Sequence, residues 1–163
     1  MKSLPIQDLY ETHILVADFE RSRKFYEEVL GLEVGWIDLA KGSLLYWVGG
    51  RGKAMLGLRE VPKDQVFWQH FAFEVAIDDV RNAVAFLKSK AIRCYNKIDG
   101  SESPQVFGWM QAVAIYFNDP DGHLLEFIAM LPDKPQSEAG LVLWDDWKRG
   151  TQEGTNNNPT CRD

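Results

Sequence analysis

Three side chains in this sequence have the types and spacing of a metal site. His13 and His70 stand 57 positions apart (70 minus 13), and each begins a segment with strand-like alternation. Since side chains alternate between the faces of a strand, each histidine lies opposite the apolar residues that follow it. Glu126, between Leu125 and Phe127 in the last predicted strand, is placed in the same way. Two imidazoles and one carboxylate suit a divalent first-row metal ion and leave coordination positions for water or substrate.

Each of the three residues also has an ordinary alternative role. A single histidine in a strand is more often a core or surface residue than a ligand, and Glu126 alone would suit an ion pair with a lysine. What favours the metal site is coincidence, because two histidines occupy equivalent places in a repeat that also contains a carboxylate. From spacing alone, the metal site and the structural roles are both open.

The repeat predicts the α+β fold class. At the same offset Ile14 corresponds to Phe71 and Val16 to Phe73, and in the following helices Leu30 corresponds to Leu87. Each half predicts a strand, a helix and three more strands, a βαβββ module with one apolar sheet face that must pack against a partner. The first half predicts strands at 10–17, 32–39, 43–48 and 54–58, with a helix capped by Asp18. The second half predicts strands at 69–76, 92–95, 112–117 and 124–130, with a helix capped by Asp78 and Asp79.

The modules, at about 8–60 and 66–131, make up one predicted domain at 1–131. Residues 132–163 are expected to form a C-terminal extension that is partly docked, through 141–147, and frayed at its end. Between Asn96 and Ala112 the sequence predicts a long loop, which is either a lid over a pocket or a segment whose aromatic residues pack on the sheet.

Composition excludes several classes of protein. With 163 residues, 45% hydrophobic and 12% aromatic content, the chain has enough apolar material for a packed core. A net charge of −6 and a pI near 5.1 argue against a nucleic-acid-binding surface. No apolar run reaches the length of a membrane span, and the N-terminus lacks the apolar stretch of a signal peptide. Cys94 and Cys161 have no framework spacing, so we expect free thiols and a cytoplasmic location.

Further side chains are candidates for the lining of the pocket. Tyr116 lies ten residues before Glu126 and, as an alternative to packing, would act there as a hydrogen-bond donor or acid. The tryptophans Trp47, Trp68 and Trp109 are candidate pocket residues, although tryptophan in a strand usually belongs to the core. His123 follows the Asp-Gly pair of a tight turn, where an imidazole commonly bonds local backbone, and we interpret it as structural.

Two motifs in this chain resemble the vicinal oxygen chelate superfamily, which includes glyoxalase I, extradiol dioxygenases, fosfomycin-resistance enzymes and bleomycin-binding proteins. The first runs from His13 through Val16 and Asp18 to Phe25-Tyr26-x-x-Val29-Leu30-Gly31-Leu32. The second is Asp119-Pro120-Asp121-Gly122-His123-x-Leu125-Glu126. The resemblance covers roughly residues 8–131.

The resemblance implies tandem βαβββ modules that form a curved, cup-shaped mixed sheet with helices on the outside. It also implies one divalent metal ion (Zn, Ni, Mn, Fe or Co) held by His13, His70 and Glu126. The metal would bind two neighbouring oxygens of a small-molecule substrate and act as a Lewis acid. Members commonly form dimers, so we expect a homodimer. Bleomycin-binding members lack the metal ligands, which this chain keeps.

This chain differs from the known subfamilies at several positions, and these differences reduce the number of subfamilies to which it could belong. Glyoxalase I has a further glutamate ligand on the last strand of its first half, and Gly57 stands at that position here. The fosfomycin thiol transferases carry threonine two residues after the first histidine, where this chain has Leu15, whereas Tyr116 matches a substrate-contacting tyrosine of that group. Extradiol dioxygenases add catalytic histidines, and only His123 is left for such a role.

The sequence therefore predicts a metal-dependent enzyme that acts on a small oxygen-rich substrate, as a glyoxalase-like lyase or a transferase rather than a dioxygenase. One alternative is a non-catalytic binding protein that sequesters a drug or metabolite in the same cavity. Another is a fosfomycin-modifying enzyme.

Overall fold

A computed structural model describes residues 3–132 and 134–148, and the chain divides into two compact units. The first unit holds the residues up to Gln69 together with 119–123, and the second holds 70–118 and the residues from Leu124 onward. Each unit contains one open mixed sheet with a helix, which confirms the predicted α+β class. The frayed end predicted for the extension lies outside the described residues.

The first unit contains the predicted βαβββ order. Its elements are β1 (Glu11–Val16), α1 (Phe19–Glu28), β2 (Glu33–Asp38), β3 (Ser43–Val48) and β4 (Ala54–Glu60). The four strands lie in the order β1-β4-β3-β2, with β1 parallel to β4 and the other pairs antiparallel. A parallel β1–β4 pair needs a crossover connection, and α1 supplies part of it.

Local sequence determines where α1 begins and which face it buries. The predicted N-cap, Asp18, accepts a hydrogen bond from the backbone N–H of Arg21 at 3.0 Å. Phe25 and Tyr26 are buried, and the Tyr26 ring stacks on Tyr46 of β3 with centroids 6.0 Å apart. The helix therefore covers one face of this sheet and leaves the opposite face, which carries His13, to other contacts.

The second unit repeats this order and adds two short strands, one inside the module and one after it. Its elements are β5 (His70–Glu74), α2 (Ile77–Ser89), β6 (Cys94–Tyr95), β7 (Gln105–Phe107), β8 (Ala112–Asn118), β9 (Leu124–Met130) and β10 (Leu141–Leu143). The sheet has the order β10-β7-β8-β9-β5, and β6 also pairs with β8. β5 is parallel to β9, as β1 is to β4 in the first unit.

Two local predictions in this unit were wrong. The cap of α2 is Ala76 rather than Asp78 and Asp79, which lie inside the first turn, where their charge favours the positive end of the helix dipole. The predicted loop between Asn96 and Ala112 contains β7, because β8 is long enough to pair with β6 at one end and β7 at the other. Residues 96–104 and 108–111 lie outside the strands, and the first of these segments is held by hydrogen bonds from the Asn96 amide to Asp99 and Ser101.

The C-terminal extension contributes a strand and two buried tryptophans to the second unit. β10 pairs antiparallel with β7, and residues 144–148 form a helical turn that follows it. Trp144 and Trp147 are each 5% exposed and pack in a core cluster that includes Val80 of α2 and Val106 of β7. Val113 of β8 and Ala129 of β9 belong to the same cluster, so the extension packs against one face of the six-stranded sheet.

Two further sequence expectations concern location and cysteines. Among the described residues, no helix has the length and apolar character that crossing a membrane requires. Cys94 is a buried free thiol, and burial raises its pKa above the usual value. Cys161 lies outside the described residues.

We expect Trp147→Ala to lower the free energy of unfolding by about 3–5 kcal/mol, because it leaves a cavity in the core of the second unit. Urea denaturation followed by circular dichroism measures the change. Trp109→Ala is the matched control, since Trp109 is 56% exposed and its loss should cost less than about 1 kcal/mol. Equal losses for the two variants would contradict the structural role of the extension.

Candidate metal centre

Strand register brings His70, Tyr116 and Glu126 to one face of the six-stranded sheet. Glu126 of β9 lies opposite Ala72 of β5 on one side and opposite Tyr116 of β8 on the other. Residues paired across strands point to the same face, and His70 lies two positions before Ala72, so it shares that face. The opposite face carries the apolar residues that pack toward α2.

The carboxylate of Glu126 is buried and only partly satisfied. Its side chain is 4% exposed, Oε2 lies 3.2 Å from Nε2 of His70, and Oε1 has no hydrogen-bond partner among the described residues. Burial raises the pKa of Glu126, while the charge of His70, the charge of Lys97 and a hydrogen bond from Tyr116 act in the opposite direction. A buried carboxylate with one unsatisfied oxygen is costly, and a cation beside it would remove that cost.

A hydrogen bond orients the His70 ring toward this carboxylate. Nδ1 lies 3.1 Å from the carbonyl oxygen of Leu124, and a carbonyl only accepts, so Nδ1 carries the proton and donates. In a neutral ring, Nε2 then has its lone pair directed at Glu126. Two lone-pair atoms in contact need a proton or a metal ion between them, and a backbone carbonyl bound to the remote nitrogen is the usual support of a histidine ligand.

The His70–Glu126 separation fits two ligands of one ion. Ligand atoms about 2.0–2.2 Å from a metal, at octahedral to tetrahedral angles, lie about 2.8–3.6 Å apart. The observed distance of 3.2 Å falls in that interval. The donor set and its spacing therefore fit a divalent metal ion.

Tyr116 stands next to this pair as a neutral hydrogen-bond donor. Its ring centroid lies 6.0 Å from that of His70, the Tyr95 ring stacks on it at 6.3 Å, and Nζ of Lys97 lies 4.7 Å from the ring centre. Burial and the negative charge of Glu126 raise the pKa of Tyr116, so its hydroxyl keeps its proton at neutral pH.

His13 belongs to the first unit and lies on the face of the sheet that α1 leaves open. Its backbone is paired with Gly57 of β4, so the two residues point to the same side. The imidazole lies across Gly57, and a Cβ on that glycine would overlap the ring. Nε2 of His13 is 2.8 Å from Oε1 of Glu11, and half of the histidine side chain is exposed. The ring is therefore seated in a space that only glycine provides.

The part of the chain that the structure describes contains no group of three or more His, Cys, Asp or Glu residues arranged to hold a metal ion. His70 and Glu126 are together in the second unit, and His13 is described within the first. That all three bind one ion stays a prediction.

The predicted tryptophans occupy different environments. Trp47 of β3 is half-buried over the irregularity at Gly35, where β2 and β3 shift register. Trp68 is 64% exposed in the first unit, and Trp109 is exposed in the second unit with its ring edge on Phe107 at 5.8 Å. Their assignment to a substrate pocket stays a prediction.

His123 has the structural role expected of it. It is completely buried, its Nε2 donates to the carbonyl of Leu15 at 2.8 Å, and its Nδ1 accepts from the backbone N–H of Gln69 at 3.3 Å. Asp119 completes the turn, because its Oδ1 accepts from the backbone N–H groups of Asp121 and His123 at 2.9 Å each. Both nitrogens of His123 are therefore committed to the backbone.

Sequence reasoning missed several polar residues near the candidate ligands. Tyr95 lies in β6, and Lys97 follows it by two positions. Since residues two apart in a strand point to the same face, this spacing would have placed both side chains beside Tyr116. Gln105 is buried on the same face, with its Nε2 lacking a hydrogen-bond partner among the described residues. Arg59 lines a cavity with His13 and follows Gly57 by two positions, which is again a strand period. The predicted loop obscured Gln105, since nothing in its sequence indicated β7.

The sequence matches a family model over most of its length. The model for the Glyoxalase/Bleomycin resistance protein/Dioxygenase superfamily matches residues 9–127, which span both sheets. The chain belongs to this superfamily. The resemblance of the two sequence motifs to the vicinal oxygen chelate proteins is thereby confirmed.

Similar proteins place the chain within the superfamily. YraH of Bacillus subtilis is 29% identical over 133 residues, which cover 76% of this chain and 98% of YraH. The metallothiol transferase FosB of Lysinibacillus sphaericus is 29% identical over 128 residues, which cover 76% of this chain and 83% of FosB. Among solved structures, the integron cassette protein HFX_CASS4 from the Halifax Harbour sewage metagenome is 37% identical, with a TM-score of 0.66, and the match covers 77% of this chain and all of that chain.

The contact between Gly57 and the His13 ring can be tested by measuring the free energy of unfolding. We expect Gly57→Ala to destabilise the protein when His13 is present, because the added methyl group displaces the ring. In a His13→Ala background the same change should be neutral or stabilising, since alanine suits a strand better than glycine. Urea unfolding of the four proteins gives the coupling, which we expect to be about 1 kcal/mol or more. Additive effects would mean that the ring does not depend on the glycine.

Proposed function

We propose that this protein is a metal-dependent enzyme that acts on a small oxygen-rich substrate, with His70, Glu126 and His13 as its metal ligands. The observation that carries the proposal is the buried Glu126 carboxylate. One of its oxygens faces an oriented imidazole nitrogen at 3.2 Å, and the other has no hydrogen-bond partner in the described part of the chain. Such a pair is prepared for a cation and is costly without one.

When bound, a divalent ion would supply Lewis-acid polarisation of two neighbouring substrate oxygens. The surrounding residues have separate tasks. The Leu124 carbonyl holds the His70 ring in one tautomer. The Tyr116 hydroxyl, which keeps its proton and donates to Glu126, would turn this hydrogen bond to a substrate oxygen when substrate binds. Lys97 adds positive charge beside the Tyr116 ring and lowers the cost of the buried carboxylate.

The first unit limits the type of reaction. Gly57 has no side chain where glyoxalase I carries a glutamate, so that position can neither ligate a metal nor remove a substrate proton. The His13 ring occupies the space instead. A lyase or transferase reaction that needs no base at residue 57 agrees best with this arrangement.

Metal binding tests the proposal directly. Chelator-treated protein titrated with Mn²⁺ or Zn²⁺ in a calorimeter should bind about one ion per chain, and His70→Ala or Glu126→Gln should weaken binding at least about 100-fold, because each removes a ligand. Glu74→Gln is the control, since Glu74 is an exposed carboxylate on the same strand as His70. Metal content that is unchanged in a His13→Ala, His70→Ala double variant would refute the site.

We further propose that the protein works as a homodimer in which the ligands of one site come from two chains. Its support is that members of the superfamily often form dimers. Large apolar side chains near the N-terminus and around residue 67 are also exposed: Leu4, Ile6, Leu9, Phe67 and Trp68. Surfaces of this kind usually mark an interface.

Complementation between defective chains tests this arrangement. A His13→Ala chain and a His70→Ala, Glu126→Gln chain, each defective alone, are co-expressed with different tags and purified as a mixed dimer. We expect the mixed dimer to regain one tight metal site, because one pairing of units then has all its ligands. Mixed dimers that bind no metal tightly would place each site within a single chain.

A second candidate function is transfer of a thiol to a small electrophile, which the similarity to the metallothiol transferase FosB favours. Leu15 counts against it, because the fosfomycin thiol transferases carry threonine there. Growth protection against fosfomycin in a sensitive host would support this candidate. Tight ligand binding that is indifferent to chelators and gives no turnover would instead identify a sequestering protein.

A further inference from the structure

A cationic residue that has no ion-pair partner in the described part of the chain lies on the same sheet face as His13. On β4, Arg59 follows Gly57 by two positions, so both point to the face that α1 leaves open. Arg59 is paired with Leu15 of β1 on one side and with Ser43 of β3 on the other, while Gly57 is paired with His13. His13 and Arg59 are thus diagonal neighbours, about 7–8 Å apart at the backbone, within reach of a long side chain.

The two residues line one cavity. This cavity, of ≈ 590 Å³, lies within the first unit and is bounded by His13, Leu15, Lys41, Ser43, Arg59 and Glu60. Its volume lies within the range of small-molecule sites. Its lining is mainly polar and charged, with Leu15 as the one apolar side chain, which suits a charged group better than an apolar one.

The charges of the cavity favour an anion. The Arg59 guanidinium makes no ion pair or hydrogen bond within residues 3–132 and 134–148, whereas Lys41 is 3.3 Å from Asp38 in an exposed pair worth little. The one carboxylate of the lining, Glu60, is already engaged, because its Oε1 accepts from the backbone N–H of Phe19 at 3.1 Å. The negative charge of Glu60 is thereby directed to the N-terminal end of α1.

We infer that this cavity is an oxyanion subsite, in which Arg59 binds the carboxylate, phosphate or phosphonate group of the substrate. Lys41 adds a second positive charge and Ser43 a hydroxyl donor, and Leu15 contacts the carbon chain of the substrate. Arginine suits the role because its planar fork donates two parallel hydrogen bonds to an oxyanion. The inference rests on the proposed function in one respect: it assigns an anionic group to the small oxygen-rich substrate of the proposed enzyme.

The first experiment needs no metal. Inorganic phosphate is titrated into chelator-treated protein at constant ionic strength, and NMR follows the backbone amide signals of Leu15 and Ser43, which line the cavity and are present in every variant. We expect saturable, millimolar binding to the wild-type protein, loss of at least about tenfold in affinity in Arg59→Gln, and a smaller loss in Arg59→Lys, which keeps the charge but not the fork. Arg51→Gln is the control, since Arg51 is an exposed arginine of the same unit that pairs with Glu33.

The second experiment uses metal-loaded protein and two matched probes. Glycerol offers neighbouring oxygens and no charge, and glycerol 3-phosphate offers neighbouring oxygens with an anionic phosphate group. Wild-type protein should prefer glycerol 3-phosphate about tenfold or more, and Arg59→Gln should abolish the preference without changing metal affinity.

The outcomes separate this inference from the proposed function. If the protein binds no metal but phosphate binding depends on Arg59, the oxyanion subsite stands and the metal site falls. If metal binds but Arg59→Gln behaves like Arg51→Gln in both titrations, the subsite is wrong and the metal site stands. Phosphate binding that vanishes with ionic strength alone, or is absent in the wild-type protein, likewise overturns the inference.

Discussion

The buried carboxylate of Glu126 is the constraint on which the interpretation of this protein depends. A carboxylate that is removed from water must recover the lost solvation from hydrogen bonds or from a positive charge. Interactions with His70, Tyr116 and Lys97 restore part of the lost solvation of Glu126. Its pKa is still raised, which means that the remaining cost of burial is larger than these interactions offset. Because one oxygen has no hydrogen-bond partner among the described residues, the pair is incomplete as it stands, and a metal ion is the simplest group that completes it.

A second buried polar group in the chain makes the contrast clear. His123 and Asp119 are also buried, yet their side-chain atoms are bonded to backbone groups and to the Tyr26 hydroxyl. That arrangement stabilises a turn in which Gly122 has a positive φ of 87°, a conformation that glycine adopts without strain. Polar satisfaction therefore distinguishes the structural histidine from the functional candidate, although both belong to the same sequence motif.

In the first unit, the feature that bears on the proposed chemistry is the missing side chain of Gly57. In a strand, glycine usually weakens packing, but here it leaves the space into which the His13 ring fits. The same absence of a side chain removes the carboxylate that glyoxalase I would carry. One small residue thus accounts for the position of the His13 ring and bears on the type of reaction that we propose.

The amino-acid sequence alone predicted the α+β class, the order of both modules, and the faces of β1, β5 and β9 on which the candidate ligands lie. These features depend on local periodicity and capping, which act over a few residues: Asp18 caps α1, and Ser43–Val48 and Leu124–Met130 are strands as predicted. β7, its pairing with β10, and the contacts of Lys97, Gln105 and Arg59 could not be predicted in this way, although docking of residues 141–147 was expected. These features depend on which distant strand pairs with which. They also depend on where a missing side chain leaves space for a neighbour, as Gly57 does for His13. Pairing across strands and burial are properties of the assembled sheet, and only the tertiary structure determines them.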